Sequence, residues 1–328
     1  MSNRTAVVAI GGNALVPDNQ HGSIADQFIA ASRISHEIAA MVADGWTVVV
    51  THGNGPQAGF ILRRSDIVAR IDTNIPRIGL DVAVADSQGG IGYIVSGALT
   101  NELRATGVDR TVVAVITHTV VSETDPALSN PTKPIGSWFP AAEAAELRAR
   151  EGWAMVEDSG RGWRRVVASP RPIRVLELDA VAALVRGGFI VIAAGGGGIP
   201  VVEEPGGGFH GIEAVIDKDF ASSLLAAGIG ADLFVITTGV PQVAVNFGKP
   251  DQRFLDRITL EEAERHLAEG QFPPGSMGPK IRAALDYLRA GGGEVLITST
   301  DRLAAALRGE TGTRLVGTVQ AAKGERRQ

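Results

Sequence analysis

The chain has 328 residues, a 45% apolar composition, a formal net charge of −5 and no cysteine. The length fits one large or two ordinary domains, and the apolar fraction is sufficient for a folded core. The acidic balance gives no support to nucleic-acid or anionic-membrane binding, and the lack of cysteine excludes disulfides, thiolate zinc sites and cysteine nucleophiles. We expect neither a secretory leader nor a membrane span of ~18 apolar residues, and therefore a cytoplasmic protein.

Short β-branched runs alternate with longer helical patterns. Six strands are predicted, at Thr5–Ile10, Thr47–Thr51, Val112–Thr117, Phe189–Ala194, Leu233–Thr238 and Glu294–Thr298. Helices are predicted through Ala31–Val42, where apolar residues recur at 3.6 spacing, and at Ile91–Ala105, Ala141–Arg150 and Phe220–Ala227. This alternation predicts an α/β fold with parallel strands and crossover helices on both faces of the sheet.

The region from about residue 131 to residue 172 interrupts the alternation. It contains five prolines, three tryptophans and the Ala/Glu-rich helix Ala141–Arg150. We interpret it as an inserted hairpin-and-helix excursion, with Lys133 at its root.

Three glycine-rich turns follow predicted strands: Gly11-Gly12-Asn13, Gly53-Asn54-Gly55-Pro56 and Gly195–Gly198. Each could be an ordinary strand-to-loop turn. Glycine also lets backbone N–H groups approach a ligand closely, and such groups at the start of a helix bind anions. Because ligands bind outside the carboxyl ends of parallel strands, we expect these turns to share one edge of the sheet. None of them fits the P-loop or the G-x-G-x-x-G pattern.

Lysine is scarce, and its placement is informative. Five of the 31 cationic residues are lysines, and three of these lie in Gly/Pro/Asp-rich motifs, at Lys133, Lys218 and Lys280. A genomic preference for arginine would explain the scarcity but explains the placement less well. A compact ammonium on a flexible stem suits a site where a small phosphoryl group moves between two oxygens.

The segment Asp217-Lys218-Asp219 precedes a predicted helix, so its carboxylates could simply cap that helix. Alternatively, they hold Lys218 charged and in place at the edge of the sheet. No Ser-His-Asp or Cys-His set occurs, and His52 fits a strand end better than a general base. Phosphoryl transfer to an acid that already carries a negative oxygen needs positioning and charge neutralisation rather than a base.

Taken together, these motifs resemble the carbamate kinases of the amino acid kinase superfamily. The matching segments run over nearly the whole chain in the family's order: Ala9–Leu15, Thr51–Gln57, Ser87-Gln88-Gly89, Ile91-Gly92-Tyr93, Asn130–Gly136, Glu157-Asp158, Gly160-Arg161-Gly162, Val166–Pro172, Gly195–Val202, Ala214–Ser222 and Pro274–Lys280.

The resemblance implies an open αβα sandwich around a mainly parallel sheet of about eight strands. It implies a single domain over residues 1–328, a small protruding lid at residues 131–172, and a homodimer. The reaction it implies is ATP plus carbamate in equilibrium with ADP plus carbamoyl phosphate. We expect the ATP-forming direction, since carbamate is unstable and carbamoyl phosphate is a high-energy donor.

The resemblance also implies roles for individual residues. The catalytic set is Lys133, Lys218, Asp219 and Lys280. The residues expected to hold the carbamoyl and phosphoryl oxygens are Gly11, Gly12, Asn13, Gly53 and Asn54. The residues expected on the nucleotide side are Gly195, Gly196, Gly197, Gly198, Asp217, Thr238, Gly239, Val240 and Met277. Mg²⁺ is expected to be held by phosphates and water, without protein ligands.

Three positions depart from the family pattern, namely His118, Thr119 and Pro241. The first two could alter lid or substrate-side contacts, and the third could alter the nucleotide pocket. One alternative function is a kinase of another small acid such as acetylglutamate or aspartate, although such substrates usually call for an arginine clamp on a second carboxylate. The other is a non-catalytic, ligand-sensing relative, which the retention of all three motif lysines does not favour.

Overall fold

The computed structural model describes residues 4–317 except Pro17, Asn19 and Ser159, and it leaves the side chain of Asn13 undescribed. The strands, in chain order, are β1 (Thr5–Ile10), β2 (Thr47–His52), β3 (Val112–Ala114), β4 (His118–Val121), β5 (Lys133–Phe139), β6 (Met155–Glu157), β7 (Trp163–Val167), β8 (Pro172–Val175), β9 (Ile190–Ile192), β10 (Ile199–Glu203), β11 (Phe209–Gly211), β12 (Leu233–Thr238), β13 (Val243–Val245), β14 (Arg253–Leu255), β15 (Arg257–Thr259), β16 (Glu294–Ser299) and β17 (Thr313–Val316). The helices are α1 (Gly12–Leu15), α2 (Ile24–Ala43), α3 (Gly55–Ile71), α4 (Leu80–Ala105), α5 (Ala141–Glu151), α6 (Leu178–Arg186), α7 (Lys218–Gly228), α8 (Leu260–Ala268), α9 (Met277–Arg289) and α10 (Leu303–Leu307).

An eight-stranded sheet forms the centre of the molecule, with the order β15-β17-β16-β12-β1-β2-β9-β3. Neighbouring strands are parallel except that β17 runs antiparallel to β16. Strands β1 and β2 are buried along their β-branched runs, as expected for strands covered on both faces. The prediction of a mainly parallel sheet of about eight strands is confirmed.

Both faces of this sheet are covered by helices. Along β1, Val7 belongs to a hydrophobic cluster with residues of α7 and α9, whereas Val8 belongs to a second cluster with residues of α2 and α4. Successive side chains of a strand point to opposite faces, so one β-branched run supplies both clusters. This arrangement is the αβα sandwich expected from the sequence.

Element boundaries differ from the prediction at two glycine-containing places. Helix α4 begins at Leu80 rather than at Ile91 and continues through Gly89, Gly90 and Gly92. Glycine lowers helix propensity, but Gly92 lies where a Cβ would be 3.1 Å from the Cβ of Ala114, so its small size allows α4 to pack against β3. The strand predicted at Phe189–Ala194 is shorter, because Ala194 takes φ 48° in the left-handed region.

The strand predicted at Val112–Thr117 also ends early, at Ala114. Thr117 leaves the main sheet, and its N–H and side chain bond instead to Gln88 and Ala194. The chain then enters a second, four-stranded sheet with the order β11-β10-β4-β8. Its strand β4 leads the chain from the main sheet towards residue 131, and its other three strands follow residue 171.

Residues 133–167 form a three-stranded antiparallel sheet, β5-β7-β6, together with helix α5. This unit has its own small core of Ala144, Leu147 and Met155. Strand β5 lies directly on α3, where Gly59 and Gly136 meet so closely that a Cβ at Gly59 would overlap the Gly136 backbone. Although α4 is 26 residues long, no helix in the described part of the chain is long and apolar enough to cross a membrane.

Candidate active site

A cleft of about 990 Å³ opens at the carboxyl ends of the central strands β1, β2 and β12. This is the edge at which open α/β sheets bind ligands, and the volume is within the range of small-molecule sites. The lining residues include Gly11, Gly12, Gly53, Asn54, Lys133, Asp158, Arg161, Arg164, Gly196, Asp217, Lys218, Asp219, Thr238, Gly239 and Lys280.

Two of the three predicted glycine turns meet in this cleft. A Cβ at Gly53 would lie 2.7 Å from the backbone N of Gly12, so only glycine allows the turns after β1 and β2 to approach this closely. Gly12 begins α1 and Gly55 begins α3, which brings two helix N-termini to the same place. The backbone of Asn13 lies in α1, but its side chain is outside the described part of the structure.

The third glycine turn, at residues 195–198, lies behind the second one. A Cβ at Gly196 would overlap the side chain of Asn54, and a Cβ at Gly195 would lie 2.5 Å from His52 Nε2. The turn is buried, and of its four glycines only Gly196 lines the cleft. The turn therefore supports Asn54, whose Nδ2 donates to Ser87 Oγ at 2.8 Å.

Three lysines converge on two carboxylates. Asp217 Oδ2 accepts a hydrogen bond from Lys133 Nζ at 2.6 Å, while Asp217 Oδ1 accepts from Asp219 N at 3.0 Å and caps α7. Asp219 accepts from Lys218 through one oxygen and from Lys280 Nζ, at 2.9 Å, through the other. Capping and charge-holding, the two interpretations left open by the sequence, both occur in this segment.

The electrostatics of this cluster follow from burial and pairing. Burial would raise the pKa of Asp219, but Lys218 and Lys280 outweigh it and hold that pKa below its usual range. Burial lowers the pKa of Lys218, with Asp219 opposing. Burial would also lower the pKa of Lys280, but Asp219 reverses this effect and the pKa is raised. Three ammonium groups against two carboxylates leave one excess positive charge, which suits an anionic ligand.

His52 is buried at the end of β2, with 1% of its surface exposed. Burial lowers the pKa of His52 to about 4, and its Nδ1 donates to Gly53 O at 3.2 Å. The imidazole is therefore neutral at neutral pH. This environment agrees with the interpretation of His52 as a strand-end residue.

The residues predicted for the nucleotide side are only partly brought together. Thr238 and Gly239 line the cleft at the end of β12, as does Asp217. Met277, the first residue of α9, is partly buried against the core, and neither it nor Val240 is among the residues that line the cleft.

The positions that depart from the family pattern have structural partners. His118 binds the Glu177 carboxylate through its backbone N and its Nδ1, both at 2.7 Å, and its ring lies 5.0 Å from that of Phe209. Thr119 Oγ1 donates to Gly197 O at 2.8 Å and so supports the third glycine turn. Pro241 O accepts from Thr298 Oγ1 at 3.3 Å. His118, Thr119 and Pro241 are not among the residues that line the cleft.

Sequence reasoning assigned no role to three residues of the 133–167 unit that line the cleft, namely Asp158, Arg161 and Arg164. Asp158 Oδ2 accepts from Arg161, from Arg164 and from Trp138 Nε1. Segments around Asp158 and Arg161 match the family, but Arg164 is one of two consecutive arginines on a strand and carries no spacing signal. Its position became apparent only in the folded chain.

A model of the amino acid kinase family matches residues 4–299. The chain belongs to the amino acid kinase family. It is 49% identical to the carbamate kinase-like protein YahI of Escherichia coli, over 95% of this chain and 98% of the relative. It is 46% identical to the carbamate kinase of Thermococcus kodakarensis, over 95% and 99% of the two chains. The solved structure of Giardia lamblia carbamate kinase bound to AMP-PNP superimposes with a TM-score of 0.86 at 39% identity, over 97% of this chain and 99% of that one.

Within this family the chain falls among the carbamate kinases, because curated relatives are 42–49% identical to it over nearly its full length. It is therefore a phosphotransferase. The lysine cluster and the paired glycine turns lie within the matched region.

Proposed function

We propose that this protein transfers a phosphoryl group reversibly between ATP and carbamate and works mainly in the ATP-forming direction. The observation that carries the proposal is the convergence of Lys133, Lys218 and Lys280 on Asp217 and Asp219. The cluster lies in one cleft with the glycine turns after β1 and β2. Preorganised cations and backbone donors of this kind stabilise a phosphoryl group during transfer.

In the ATP-forming direction, a β-phosphate oxygen of ADP attacks the phosphorus of carbamoyl phosphate. A new P–O bond forms, the P–O bond to the carbamoyl oxygen breaks, and carbamate leaves with that electron pair as an anion. No proton is transferred, so the step needs no general base. The neutral, buried state of His52 is compatible with this chemistry.

Lys218 and Lys280 neutralise the transferring phosphoryl group in this proposal, and Asp219 fixes both ammonium groups. Lys133 joins them from β5, where its partner is Asp217. By family resemblance, the turns that contain Gly11, Gly12, Asn13, Gly53 and Asn54 hold the carbamoyl and phosphoryl oxygens.

The nucleotide occupies the side of the cleft next to the end of β12. Thr238 and Gly239 support this placement because they line the cleft there. Asp217, Val240 and Met277 are assigned to the nucleotide by family resemblance. The remaining residues assigned in this way form the glycine turn: Gly195, Gly196, Gly197 and Gly198. Of this turn, the Gly196 backbone is the part that reaches the cleft.

A kinase that uses ATP requires a divalent metal ion, and we assign Mg²⁺ to this role. No group of three or more His, Asp or Glu side chains that could hold a metal occurs within the described residues. Asp217 and Asp219 already bind lysines. These surroundings fit a Mg²⁺ ion that enters with the nucleotide, bound to its phosphates and to water.

We further propose that residues 1–328 form one domain, in which residues 131–172 act as a lid that brings Lys133 to the cleft. Support for the lid comes from the separate small core of the 133–167 unit and from the ion pair between Lys133 and Asp217 across the cleft. A homodimer in the cytoplasm is proposed from family resemblance. Light scattering on the purified protein tests the dimer.

A coupled assay of ATP formation from ADP, carbamoyl phosphate and Mg²⁺ tests the function directly. We expect ATP formation from ADP and carbamoyl phosphate. In the reverse direction, we expect no phosphorylation of acetylglutamate or aspartate by ATP. A folded, pure protein that makes no ATP from carbamoyl phosphate but phosphorylates another small acid would replace the proposal with that activity. A protein inactive with the whole panel would support a ligand-sensing role.

A further inference from the structure

Arg164 carries one hydrogen-bond donor that the protein does not use. Its side chain is 5% exposed, Nε donates to Gly136 O at 3.1 Å, and Nη1 donates to Asp158 Oδ2 at 3.2 Å. The guanidinium stacks on the ring of Trp138, 4.6 Å from its centroid. Within the described residues, the buried Nη2 has no hydrogen-bond partner. A charged donor that is buried and unpaired is unfavourable, so this group favours a ligand oxygen.

Burial lowers the pKa of Arg164, and the hydrogen bond and charge of Asp158 oppose this effect. An arginine nevertheless stays protonated at neutral pH. The side chain is thus a fixed cation, held in one plane by its partners on β5 and on the segment before β7, with Nη2 as its free end.

The free donor points to the start of helix α3. Nη2 lies 3.6 Å from the position that a Cβ at Gly55 would occupy, and Gly55 is the first residue of this 17-residue helix. The N-cap residue Asn54 makes no side-chain capping bond, because its amide is directed to Ser87, and the first turn has no acidic residue. The positive end of the helix dipole and the guanidinium therefore face the same point from two sides.

This point lies in the active-site cleft but away from the contacts of the lysine cluster. Gly53, Gly55 and Arg164 line the cleft that also contains Lys218, and Lys218 Cδ lies 3.5 Å from the position of a Cβ at Gly53. An anionic group bound at the start of α3 would therefore be a close neighbour of a phosphoryl group held by the lysines. A planar guanidinium is better suited than an ammonium to a planar carboxyl-type group.

We propose that Arg164 Nη2 donates a hydrogen bond to an oxygen of the planar carbamoyl group, and that Arg164 with the α3 N-terminus forms the subsite for the acceptor end of the substrate. The inference rests on the proposed function, since it takes carbamate and carbamoyl phosphate as the substrates. Arg164 acts in binding and takes no part in breaking bonds. Its removal should therefore change the KM for carbamoyl phosphate more than kcat.

The test compares Arg164→Gln and Arg164→Lys with the wild type in the ATP-forming assay. Loss of one hydrogen bond to a charged donor should raise the KM for carbamoyl phosphate by about 10- to 100-fold, whereas the KM for ADP should stay within about twofold. The matched control is Arg165→Gln, because Arg165 is the next residue on β7 and stacks on Trp153, with its ring centroid 4.9 Å away, outside this cleft. Both KM values of that variant should equal those of the wild type.

An Arg164→Gln enzyme with a wild-type KM for carbamoyl phosphate overturns the inference. So does an equal rise in both KM values, because that pattern indicates general disruption of the cleft. Thermal unfolding verifies that each variant is folded; if Arg164→Gln is not, Arg164→Lys decides by the same criterion. A wild-type protein that makes no ATP overturns the proposed function, and this inference with it. An active wild type whose Arg164 variants keep the wild-type KM for carbamoyl phosphate overturns the inference alone.

Discussion

Lys218 is the lysine of the site with the least room around it. Its residue is 7% exposed, its ammonium binds Asp219, and its Cδ passes the Gly53 turn. The guanidinium of an arginine is longer and planar, unlike the compact ammonium that fits between Asp219 and the Gly53 turn. This confined space gives a steric reason for a lysine at position 218 in a chain whose other cationic residues are mostly arginine.

We expect Lys218→Arg to lower kcat at least about 100-fold, nearly as much as Lys218→Ala, because positive charge alone does not place the donor on the phosphoryl group. The ATP-forming assay measures this change. The matched control is Lys249→Arg, since Lys249 is exposed on a loop and should tolerate the change with an unaltered kcat. A Lys218→Arg enzyme with wild-type kcat would show that the site needs only charge.

His52 should make the folded state sensitive to acid. Its pKa is about 4 when folded and ~6.5 when unfolded, so between these values the unfolded chain binds the additional proton. Stability is thus complete above pH ~6.5 and falls by about 3 kcal/mol as the pH drops to 4, from this residue alone.

Urea unfolding at a series of pH values measures this loss, with His52→Gln as the comparison. The variant lacks the titrating ring, so its free energy of unfolding should fall by about 3 kcal/mol less than that of the wild type over the same range. Parallel curves for the two proteins would contradict the assignment of a neutral buried imidazole.

At this scale, sequence could predict the residues whose type is itself unusual in its setting. Lys133, Lys218 and Lys280 stood out because lysine is rare and its motifs are rich in glycine, proline or aspartate. Arg164 could not be predicted, because arginine is common in this chain and its significance comes from the unpaired Nη2 and the facing helix.

At the scale of elements, the contact between α3 and β5 joins the proposed lid to the main body. Gly59 on the helix faces Gly136 on the strand, so the two backbones touch without side chains between them. The same helix presents Gly55 and the Gly53–Asn54 turn to the cleft. Its position therefore connects the 133–167 unit to the glycine turns of the cleft.

Gly59→Ala should disturb this coupling. The new methyl group would overlap the Gly136 backbone, and overpacking against backbone typically costs 1–3 kcal/mol, so we expect a loss of roughly 2 kcal/mol in stability and a lower kcat/KM for carbamoyl phosphate. Denaturant unfolding and the ATP-forming assay test these two outcomes. Arg64→Ala, on the exposed side of the same helix, should change stability by less than about 0.5 kcal/mol. An unaffected Gly59→Ala protein would mean that the lid does not rest on α3.

Elements were predictable where local pattern and packing agree. Strands β1 and β12 have the predicted bounds, because their β-branched runs are buried on both faces. Helix α4 begins 11 residues before its predicted start, because its glycines lower the local helix propensity. The close packing of Gly92 on Ala114, which favours a small residue there, is visible only in the folded chain.

For the whole molecule, the ion pair Lys133–Asp217 is a second contact between the proposed lid and the main body, located in the cleft. We expect Asp217→Asn to loosen the lid in the absence of substrates, since asparagine still caps α7 but no longer attracts the ammonium. A partly exposed ion pair contributes up to about 1 kcal/mol, so amide hydrogen exchange in residues 133–167 should become about fivefold faster. Exchange in β1 serves as the internal reference. Equal exchange rates of residues 133–167 in the two proteins would show that the Lys133–Asp217 pair does not hold the proposed lid in place.

The common edge for the site could be predicted from alternation alone, because parallel strands place their carboxyl ends together. The position of the third glycine turn could not. The turn follows β9, which is next to β2 in the sheet, and this neighbourhood places Gly195 and Gly196 against His52 and Asn54. Strand order is a property of the assembled sheet that no local sequence pattern specifies.

The position of β1 between β2 and β12 has a consequence during synthesis. Ala6 of β1 pairs with Leu233 of β12, so on this side β1 has no neighbouring strand until the chain 227 residues further on has been synthesised. At ~5–20 residues per second on the ribosome, the delay is roughly 10–50 s. Throughout this interval, one edge of β1, which is apolar except for Thr5, has no strand to pair with in the nascent chain. Such edges promote aggregation, so the emerging chain of this enzyme should depend on chaperones until residue 238 has left the exit tunnel.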